Sequence, residues 1–597
     1  MIKEKDVLIR ILKICWKCQK KYLILIFFVL LLKTIMPFIT LLSLQEILNI
    51  AQGDIGEEKN IFALGMVIYF LSIIFSSLFG DWSEYLQGLL KVNLNFDFHK
   101  MIMNQSMQLS LKAYEDSKTY DKMQRAIQET QTPYQCLINI FNSFSNLFSL
   151  FGNIVILFAW KWYIVLILMV LPIISAFFTV IIGKYEYKVM RERVSDSRKI
   201  GYYRTLISDV SSCKENKLLN IEKDLFTKFK KLYSDFVYKD KKILGYKVSN
   251  SILFNFLENG LGIVIIFRVL LSVLYKKIYI GTANTYINCV WNSIKSINMV
   301  IDSIANIYNK IRYVSNILEF LETKKEDKIC NEKKIEIHDI QKIEFLNVSF
   351  RYKKELPYVL KNINCTIDGL EKIVIVGGNG SGKSTFIKLL CGLYDEYEGE
   401  ILVNGICLKK IDKNSYQKKL GVVFQDFVKY EFLLKDSLLL GNRWYEDNEL
   451  VSKLDKIQQK GIMNFVEKLP QGLNTQLGSK FDRGVQLSGG EWQQVSFIRA
   501  IIKNAQVCVF DEPSSALDII TEENMYKILK EHLKNSICIL VTHRLYIVND
   551  YATRAVVFKD GKIIEDDKLE TLLRRDSNYK HMLDRVKKIE IDMRGEF

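Results

Sequence analysis

Residues 377–385 read Gly377-Gly378-Asn379-Gly380-Ser381-Gly382-Lys383-Ser384-Thr385. The stretch matches the pattern G-x-x-x-x-G-K-[S/T]. Its glycines let backbone N–H groups curl round a phosphate with no Cβ in the way. The helix expected to follow presents its N-terminus to the anion. Lys383 places a positive charge at the β- and γ-phosphates, and Ser384 offers a hydroxyl to Mg2+. An apolar run, Ile373–Val376, leads into the loop. A strand before and a helix after argue against a chance glycine-rich turn.

Downstream, a second apolar run, Val507–Phe510, ends in Asp511-Glu512. A strand there delivers Asp511 beside the phosphates as a carboxylate for the Mg2+ shell, while Glu512 can orient or deprotonate an attacking water. On its own, such an acidic pair reads as a helix cap; the phosphate loop upstream favours chemistry. Leu487-Ser488-Gly489-Gly490-Glu491 also lies just before a helical stretch. Ser488, Gly489 and Gly490 make a second anion-binding helix start. One nucleotide does not need two such sites from one chain, so the second serves a nucleotide held by another copy. With Ile537–Val541 as a further β-rich run, strands and helices alternate from about residue 340 onward. The pattern predicts an α/β domain with a largely parallel core.

Upstream, the composition changes across a charged linker, Lys324–Lys334. A helix needs about 20 apolar residues to cross a bilayer. Ile61–Gly80, Cys136–Trp160 and Trp162–Gly183 carry no charge. Tyr22–Leu44 carries Lys33, Asn250–Tyr275 carries Glu258 and Arg268, and Tyr279–Tyr308 carries Lys295 and Asp302. The expectation is six spans. The segment 184–248 between the fourth and fifth holds 17 Lys or Arg, whereas the three short loops hold four, Lys59, Lys161, Lys276 and Lys277. The long loops and both termini are therefore expected in the cytoplasm. Those loops have few Pro or Gly and helical apolar spacing, so the spans should continue beyond the bilayer as helices. Turning points are expected near Tyr114–Lys122 and Lys214–Asn220.

The bulk composition fits such a hybrid. Of 597 residues, 49% are apolar and 25% charged, and the net charge is +16. That charge lies where a positive-inside bias puts it, so no nucleic-acid partner is expected. Eleven scattered cysteines form no disulfide framework and suit a reducing compartment. Cys15 and Cys18 make a CxxC, but without a second pair or a βαβ context it reads as structural. No signal-peptide cleavage pattern follows the basic N-terminus.

In order along the chain, these motifs resemble the nucleotide-binding domain of ABC transporters. Gly377–Thr385 matches its Walker A loop, and Gln425 in Val422-Val423-Phe424-Gln425-Asp426 its Q-loop. Leu487–Glu491 matches the signature, and Val507–Asp511 matches Walker B, with Glu512 as the catalytic carboxylate. Ser515-Ala516-Leu517-Asp518 matches the D-loop, and His543 in Val541-Thr542-His543-Arg544 the switch histidine. Tyr352, in Ser349-Phe350-Arg351-Tyr352, fits the aromatic residue that stacks on adenine. The fusion order resembles half-size ABC exporters. The resemblance implies an α-helical six-span transmembrane domain plus an α/β P-loop NTPase nucleotide-binding domain. Residues 1–21 would be a cytoplasmic elbow, 22–310 the membrane domain, 311–340 a linker and 341–597 the ATPase.

The resemblance further implies ATP and Mg2+ as cofactors, with Ser384, Gln425 and Asp511 toward the metal. His543 would contact the γ-phosphate, Gln425 would sense it, and Asp518 would help join two sites. Two chains would pair head to tail, ATP lying between Walker A of one and the signature of the other. Intact Glu512 and Ser488 let a homodimer build two competent sites; a heterodimer stays open. The protein would be multi-pass in the cell membrane, in contact with lipid, with the ATPase domain and both termini cytoplasmic. The two turning points fall where the family has coupling helices.

One departure is Glu491, where the family has Gln. With Trp492-Gln493-Gln494 and Phe424–Phe427, it resembles the subgroup that exports ribosomal peptides such as lantibiotics. About twenty residues precede the first span, so the cysteine peptidase domain of some members is expected to be absent. Asn284, Asn288, Asn292, Lys295 and Asn298 recur every three or four residues, forming one polar helical stripe. Asn142, Ser145, Asn146 and Asn153 lie in another span. In lipid such groups face protein or a water-filled cavity, so they line a substrate path or bond helix to helix. Lys33, Glu258 and Arg268 pose the same question, with pairing to a lysine on a neighbouring span the structural alternative for Glu258. A polar path favours a peptide cargo. A drug or lipid exporter, and an ATP-gated channel or regulatory membrane ATPase, are the alternatives.

Overall fold

The computed structural model describes residues 4–53, 59–323, 334–440, 447–532, 534–545 and 551–585. Most of the charged stretch Lys324–Lys334 and part of the first short loop therefore lie outside the described residues. The chain divides into two units: Met1–Leu109 with Asp116–Lys324, and Ser110–Glu115 with Lys325–Phe597.

The first unit is helical. Its long helices are α1 (Glu4–Gln52) and α2 (Lys59–Met107). The short α3 (Leu111–Glu115) follows, then α4 (Ser117–Gln128), α5 (Thr132–Trp160) and α6 (Trp162–Glu192). The chain continues through α7 (Val194–Ser208), α8 (Val210–Leu218), α9 (Glu222–Leu274) and α10 (Ile280–Leu321). α1, α2 and α9 run 49, 49 and 53 residues. At about 1.5 Å per residue α2 and α9 are each more than twice as long as the ~30 Å hydrocarbon core, while α1 is interrupted by a kink at Gln19, which has the non-helical φ −133° and ψ 40°.

Among the described residues, five helices are long and apolar enough to cross a membrane: α1, α2, α5, α6 and α9. The sixth expected span, Tyr279–Tyr308, falls on α10, which has the length at 42 residues but not the apolarity. The reason is its Asn stripe with Lys295 and Asp302. α10 packs against α1, α5, α6 and α9, and Thr285, Ser293, Ser296 and Ser303 on it are buried. A polar helix enclosed by more apolar ones is where a bilayer tolerates such residues.

Small residues bring these helices close. A methyl group on Gly281 would sit 2.2 Å from the Gln45 carbonyl oxygen, and one on Gly152 would sit 2.5 Å from the Phe38 ring. Hydroxyl contacts add bridges: Thr40 and Ser72 join α1 to α2 at 2.8 Å. Among the described residues Glu258 pairs with no lysine. Asn298 on α10 donates to one of its carboxylate oxygens at 2.6 Å instead, while the other is buried without a partner among those residues. Arg268 lies over the Tyr163 ring, 5.8 Å from its centroid.

The turning points overlap those expected, with different bounds. The first begins earlier, at Gln108–Ser110, and α4 restarts after Asp116, whose carboxylate accepts from the Thr119 N–H at 3.0 Å. The second comprises α8, bounded by Asp209 on one side and Leu219–Ile221 on the other, where Asn220 takes a left-handed φ of 53°. Capping by Asp116 and reversal at Asn220 are the local causes.

In the second unit an antiparallel sheet has strand order β2-β1-β4-β5, from β1 (Lys342–Phe350), β2 (Leu360–Asp368), β4 (Glu398–Val403) and β5 (Ile406–Cys407). The other sheet uses β3 (Lys372–Gly377), β6 (Leu420–Val423), β7 (Val507–Asp511), β8 (Ile537–Val541), β9 (Arg554–Lys559) and β10 (Lys562–Lys568) in the order β10-β9-β3-β8-β7-β6. All its pairings are parallel except that of the edge strand β10. Side chains alternate between two cores, as strand geometry requires. Val374, Val376, Cys508, Phe510, Cys538 and Leu540 join one core, with Trp492, Val495 and Ile498. Ile373, Ile375, Val507, Val509, Ile539 and Val541 join the other, with Phe386 and Phe345. Burial of both faces explains why these strands read as continuous apolar runs.

Helix α11 (Lys383–Leu390) follows β3. Three short helices, α12 (Lys413–Lys418), α13 (Leu434–Leu439) and α14 (Asp447–Gln458), precede α15 (Gly489–Ile502), and α16 (Ile519–His532) follows β7. The six residues Ser110–Glu115 belong to this unit. Leu111 packs on the second core, the Tyr394 hydroxyl donates to Glu115 at 2.6 Å, and Lys112 pairs with Glu396. Burial and the neighbouring Glu115 push the Tyr394 hydroxyl well above its usual pKa, so it stays a donor.

Candidate functional site

β3, β8, β7 and β6 lie side by side and parallel, so their C-terminal ends form one row. Past those ends come, in turn, the loop 377–382, His543, Asp511-Glu512 and Gln425. Ligands in such sheets bind at the carboxyl ends of the strands. A cavity of about 400 Å3 opens there, lined by Val359, residues 379–385, Gln425, Asp511 and Glu512.

The loop geometry depends on glycine. Gly377 has φ 150°, and a Cβ there would sit 2.3 Å from the Phe558 carbonyl oxygen. Gly382 has φ 105°, and a Cβ would press on Leu360 at 2.7 Å. Buried Lys383 donates to the carbonyls of Gly377 at 2.8 Å and Gly378 at 3.0 Å. Burial lowers its pKa, against the opposing pull of Glu512 and Asp511. The hydroxyl of Ser381 is buried and without a hydrogen-bond partner among the described residues. An unpaired donor in the loop and an ammonium bonded only to carbonyls are the state expected of an anion cradle.

Asp511 is 4% exposed and accepts a hydrogen bond from Ser384. Burial raises its pKa, an effect the Ser384 bond and Lys383 partly oppose. Ser384, Gln425 and Asp511 supply hydroxyl, amide and carboxylate oxygens to one cavity. Among the described residues no cluster of three His, Cys, Asp or Glu exists. A sparse, all-oxygen donor set fits Mg2+, which keeps waters and takes phosphate oxygens rather than a full protein cage.

Glu512 is held from four sides. It has a left-handed φ of 50°, strained for a non-glycine residue. Its N–H donates to the Val541 carbonyl at 2.9 Å, and its carbonyl accepts from the Gln493 amide at 3.1 Å. Its carboxylate accepts from Gln425 Nε2 at 3.0 Å on one oxygen and meets His543 Nε2 at 3.1 Å on the other. A carboxylate fixed at both oxygens and aimed into a phosphate-sized cavity can position a water for attack.

Gln493 enters the sequence reading only within the subgroup pattern Trp492-Gln493-Gln494, with no role of its own. It is 2% exposed on α15, donates to the Glu512 carbonyl and to Ser515 Oγ at 3.1 Å, and accepts from the Ala516 N–H at 2.8 Å. The available signal was a glutamine between Trp492 and Val495 on the apolar face of an amphipathic helix.

The remaining predicted residues stand apart from the cavity lining. Ser488 caps α15: its hydroxyl accepts from the Glu491 N–H at 3.3 Å, and the Glu491 carboxylate accepts from the Ser488 N–H at 2.7 Å. This capping box gives Glu491 a structural role. Ser488 and Gly489 are exposed, and a Cβ on Gly490 would come within 2.8 Å of the Ala516 carbonyl oxygen. Asp518 is exposed, and its carboxylate accepts from the Thr521 N–H at 2.9 Å, which lowers its pKa. Tyr352 also lies off the lining, its hydroxyl 3.0 Å from Thr385 Oγ1 and its ring edge-on to Phe350. It stands beside the phosphate loop with its ring packed in the second core.

In the first unit, a second cavity of about 810 Å3 is lined from α1, α2, α5 and α10. Of the polar residues singled out, Lys33, Ser145, Asn146, Asn153, Asn288, Asn292 and Lys295 line it. Asn284, Asn298 and Asn142 do not; Asn284 accepts from Asn288, and Asn298 holds Glu258. The stripe thus divides, with Asn288, Asn292 and Lys295 on the cavity and Asn298 bonding helix to helix.

Residues 360–515 match the family model described as ABC transporter. The chain is similar to the subtilin transport ATP-binding protein of Bacillus subtilis, 34% identical over 92% of this chain and 89% of that protein. It is similar to the nisin transport ATP-binding protein of Lactococcus lactis, 29% identical over 96% and 94%. Among solved structures, a bacterial Atm1-family ABC exporter with ATP bound superposes with a TM-score of 0.78 at 21% identity, over 95% of this chain and 98% of that one.

Proposed function

Because this chain belongs to the ABC transporters, as a half-size exporter that couples ATP hydrolysis to export, we propose that its cargo is a peptide. The observation that carries the proposal is the membrane-unit cavity, where Asn amides and Ser and Thr hydroxyls stand among apolar Phe38, Leu41, Leu44, Ile73 and Met299. Amides both donate and accept, which matches peptide groups and not hydrocarbon. Relatedness along the whole chain to transporters of subtilin and nisin, both peptides, supports the reading.

In the proposed cycle ATP lies with its phosphates on the loop 377–382 and the N-terminus of α11. Lys383 exchanges its bonds to the Gly377 and Gly378 carbonyls for phosphate oxygens. Mg2+ fits beside Ser384, Gln425 and Asp511, where it neutralises phosphate charge. Glu512 takes a proton from the attacking water, held in line by Gln425 and His543. Ser488 and the first N–H groups of α15 are exposed and complete the site of a second copy, and Asp518 lies beside the junction. Two copies of one chain suffice, since each brings both halves. Ser110–Glu115, continuous with helices of the membrane unit and packed in the ATPase unit, relays the motion.

The test is ATP hydrolysis by the purified protein in lipid nanodiscs with panels of peptides and of amphipathic drugs. Stimulation by a peptide class, saturable and lost in Glu512→Gln, is expected. Stimulation by drugs alone would overturn the peptide assignment and leave the exporter in place.

A further inference from the structure

We infer that the membrane-unit cavity recognises an anionic group on its cargo, so that the exported peptide presents a carboxylate to Lys33 and Lys295. The inference rests on the export reading and specifies the cargo of that site.

Both lysines line the 810 Å3 cavity, one from α1 and the other from α10. No Asp or Glu is among the lining residues. Among the described residues neither lysine has an ion-pair partner. Neither Glu258 on α9, which accepts from Asn298, nor Asp302, two turns along α10 from Lys295, belongs to the lining. Two ammonium groups in a membrane-depth cavity without a counter-charge attract an anion and repel a cation, the more so as a low-dielectric wall limits screening.

Asn153 adds an independent sign of a ligand. It is 1% exposed, lines the cavity, and neither its amide nitrogen nor its amide oxygen has a partner among the described residues. Buried amides are normally satisfied, so a group that enters the cavity completes this one. Asn146, Asn288 and Asn292 line the same space. Ammonium groups for a carboxylate and amides for the adjoining peptide bonds make one donor set for an acidic peptide.

The test uses the full-length protein in nanodiscs of zwitterionic lipid. Three peptides of one sequence carry Glu, Gln or Lys at the same positions, beside a matched anionic and neutral amphiphile. Binding by fluorescence and the half-stimulating concentration for ATP hydrolysis are read as ratios between probes, so an inactive fraction of protein cancels. The Glu peptide is expected to bind about tenfold more tightly than the Gln peptide, which is ~1.4 kcal/mol. Lys33→Gln and Lys295→Gln should each pull that ratio toward one, and Lys295→Arg should keep it. Equal response to all three peptides overturns the inference and leaves peptide export standing. A lysine-dependent response to the anionic amphiphile with none to any peptide keeps the anion site and overturns the peptide reading. Displacement of the Glu peptide by added phosphatidylglycerol assigns the site to a lipid headgroup and overturns the carboxylate cargo, as does a preference for the Lys peptide.

Discussion

The ATPase unit and the membrane unit both enclose cavities, but they build them differently. In the ATPase unit the reacting groups stand at the ends of four adjacent strands, and backbone bonds fix them: Glu512 through Val541 and Gln493, Lys383 through the loop carbonyls. In the membrane unit the polar groups come from four helices, and buried Asn153 has no partner among the described residues. A reaction at one phosphorus needs each group in one place. A cargo site can share recognition over many weak contacts. Single substitutions should therefore act sharply in the ATPase unit and mildly in the membrane unit.

The largest effect is expected from Glu512→Gln. Loss of a general base costs about 10²- to 10⁴-fold in rate. Steady-state ATP hydrolysis should fall by that factor while equilibrium ATP binding persists; full-rate turnover would remove Glu512 from its role. Gln493→Ala comes next. It breaks bonds to the Glu512 carbonyl, Ser515 and Ala516, a destabilisation of about 1–3 kcal/mol. A melting temperature within a degree of wild type would contradict this.

Asp511→Asn should separate stability from activity. Burial raises the Asp511 pKa above its unfolded value, so folding favours the protonated form. The associated stability is fully present below the unfolded pKa and is lost as pH rises through the folded one. At neutral pH the ionised group is therefore a burden. Asn should raise nucleotide-free stability by on the order of 1 kcal/mol, flatten its pH dependence above the unfolded pKa, and weaken Mg2+-ATP stabilisation. A thermal melt across pH, with and without Mg2+-ATP, decides it.

Asn288→Ala in the membrane unit should shift half-stimulation by cargo only about fivefold, the size of one net hydrogen bond. A complete loss would show that recognition is concentrated there after all. Smallest of all is Glu491→Gln, which preserves the capping box and should stay within about 0.5 kcal/mol of wild type, while Glu491→Ala should lose about 1 kcal/mol. Urea denaturation resolves the pair.

The same contrast governs what the sequence discloses. The phosphate loop is legible because its constraint is local: glycines at 377, 380 and 382 and a lysine at fixed spacing determine the backbone. Strands β3, β7 and β8 are legible because both their faces are buried. The role of Gln493 escaped notice because its partners lie 19 to 23 residues on and are brought back only by the fold. The left-handed φ of Glu512 and the packing of Ser110–Glu115 among ATPase residues are likewise long-range results. In the membrane unit, periodicity revealed a polar stripe on α10 but not which members point where. Asn292 lines the cavity and Asn298 holds Glu258, although they are six residues apart on the helix. The cap at Asp116 and the reversal at Asn220 fall within the expected stretches, but the exact helix bounds around them are decided by single dihedral angles.

The most direct test of ATP-driven peptide export is accumulation in inside-out vesicles. A labelled peptide that stimulates hydrolysis is supplied outside, with Mg2+-ATP, to vesicles bearing wild type or Glu512→Gln. The account predicts that the peptide rises inside above its external concentration with wild type alone, and only with ATP. Equilibration without accumulation would identify a gate, and equal accumulation in the Glu512→Gln vesicles would contradict hydrolysis at Glu512 as the driving step.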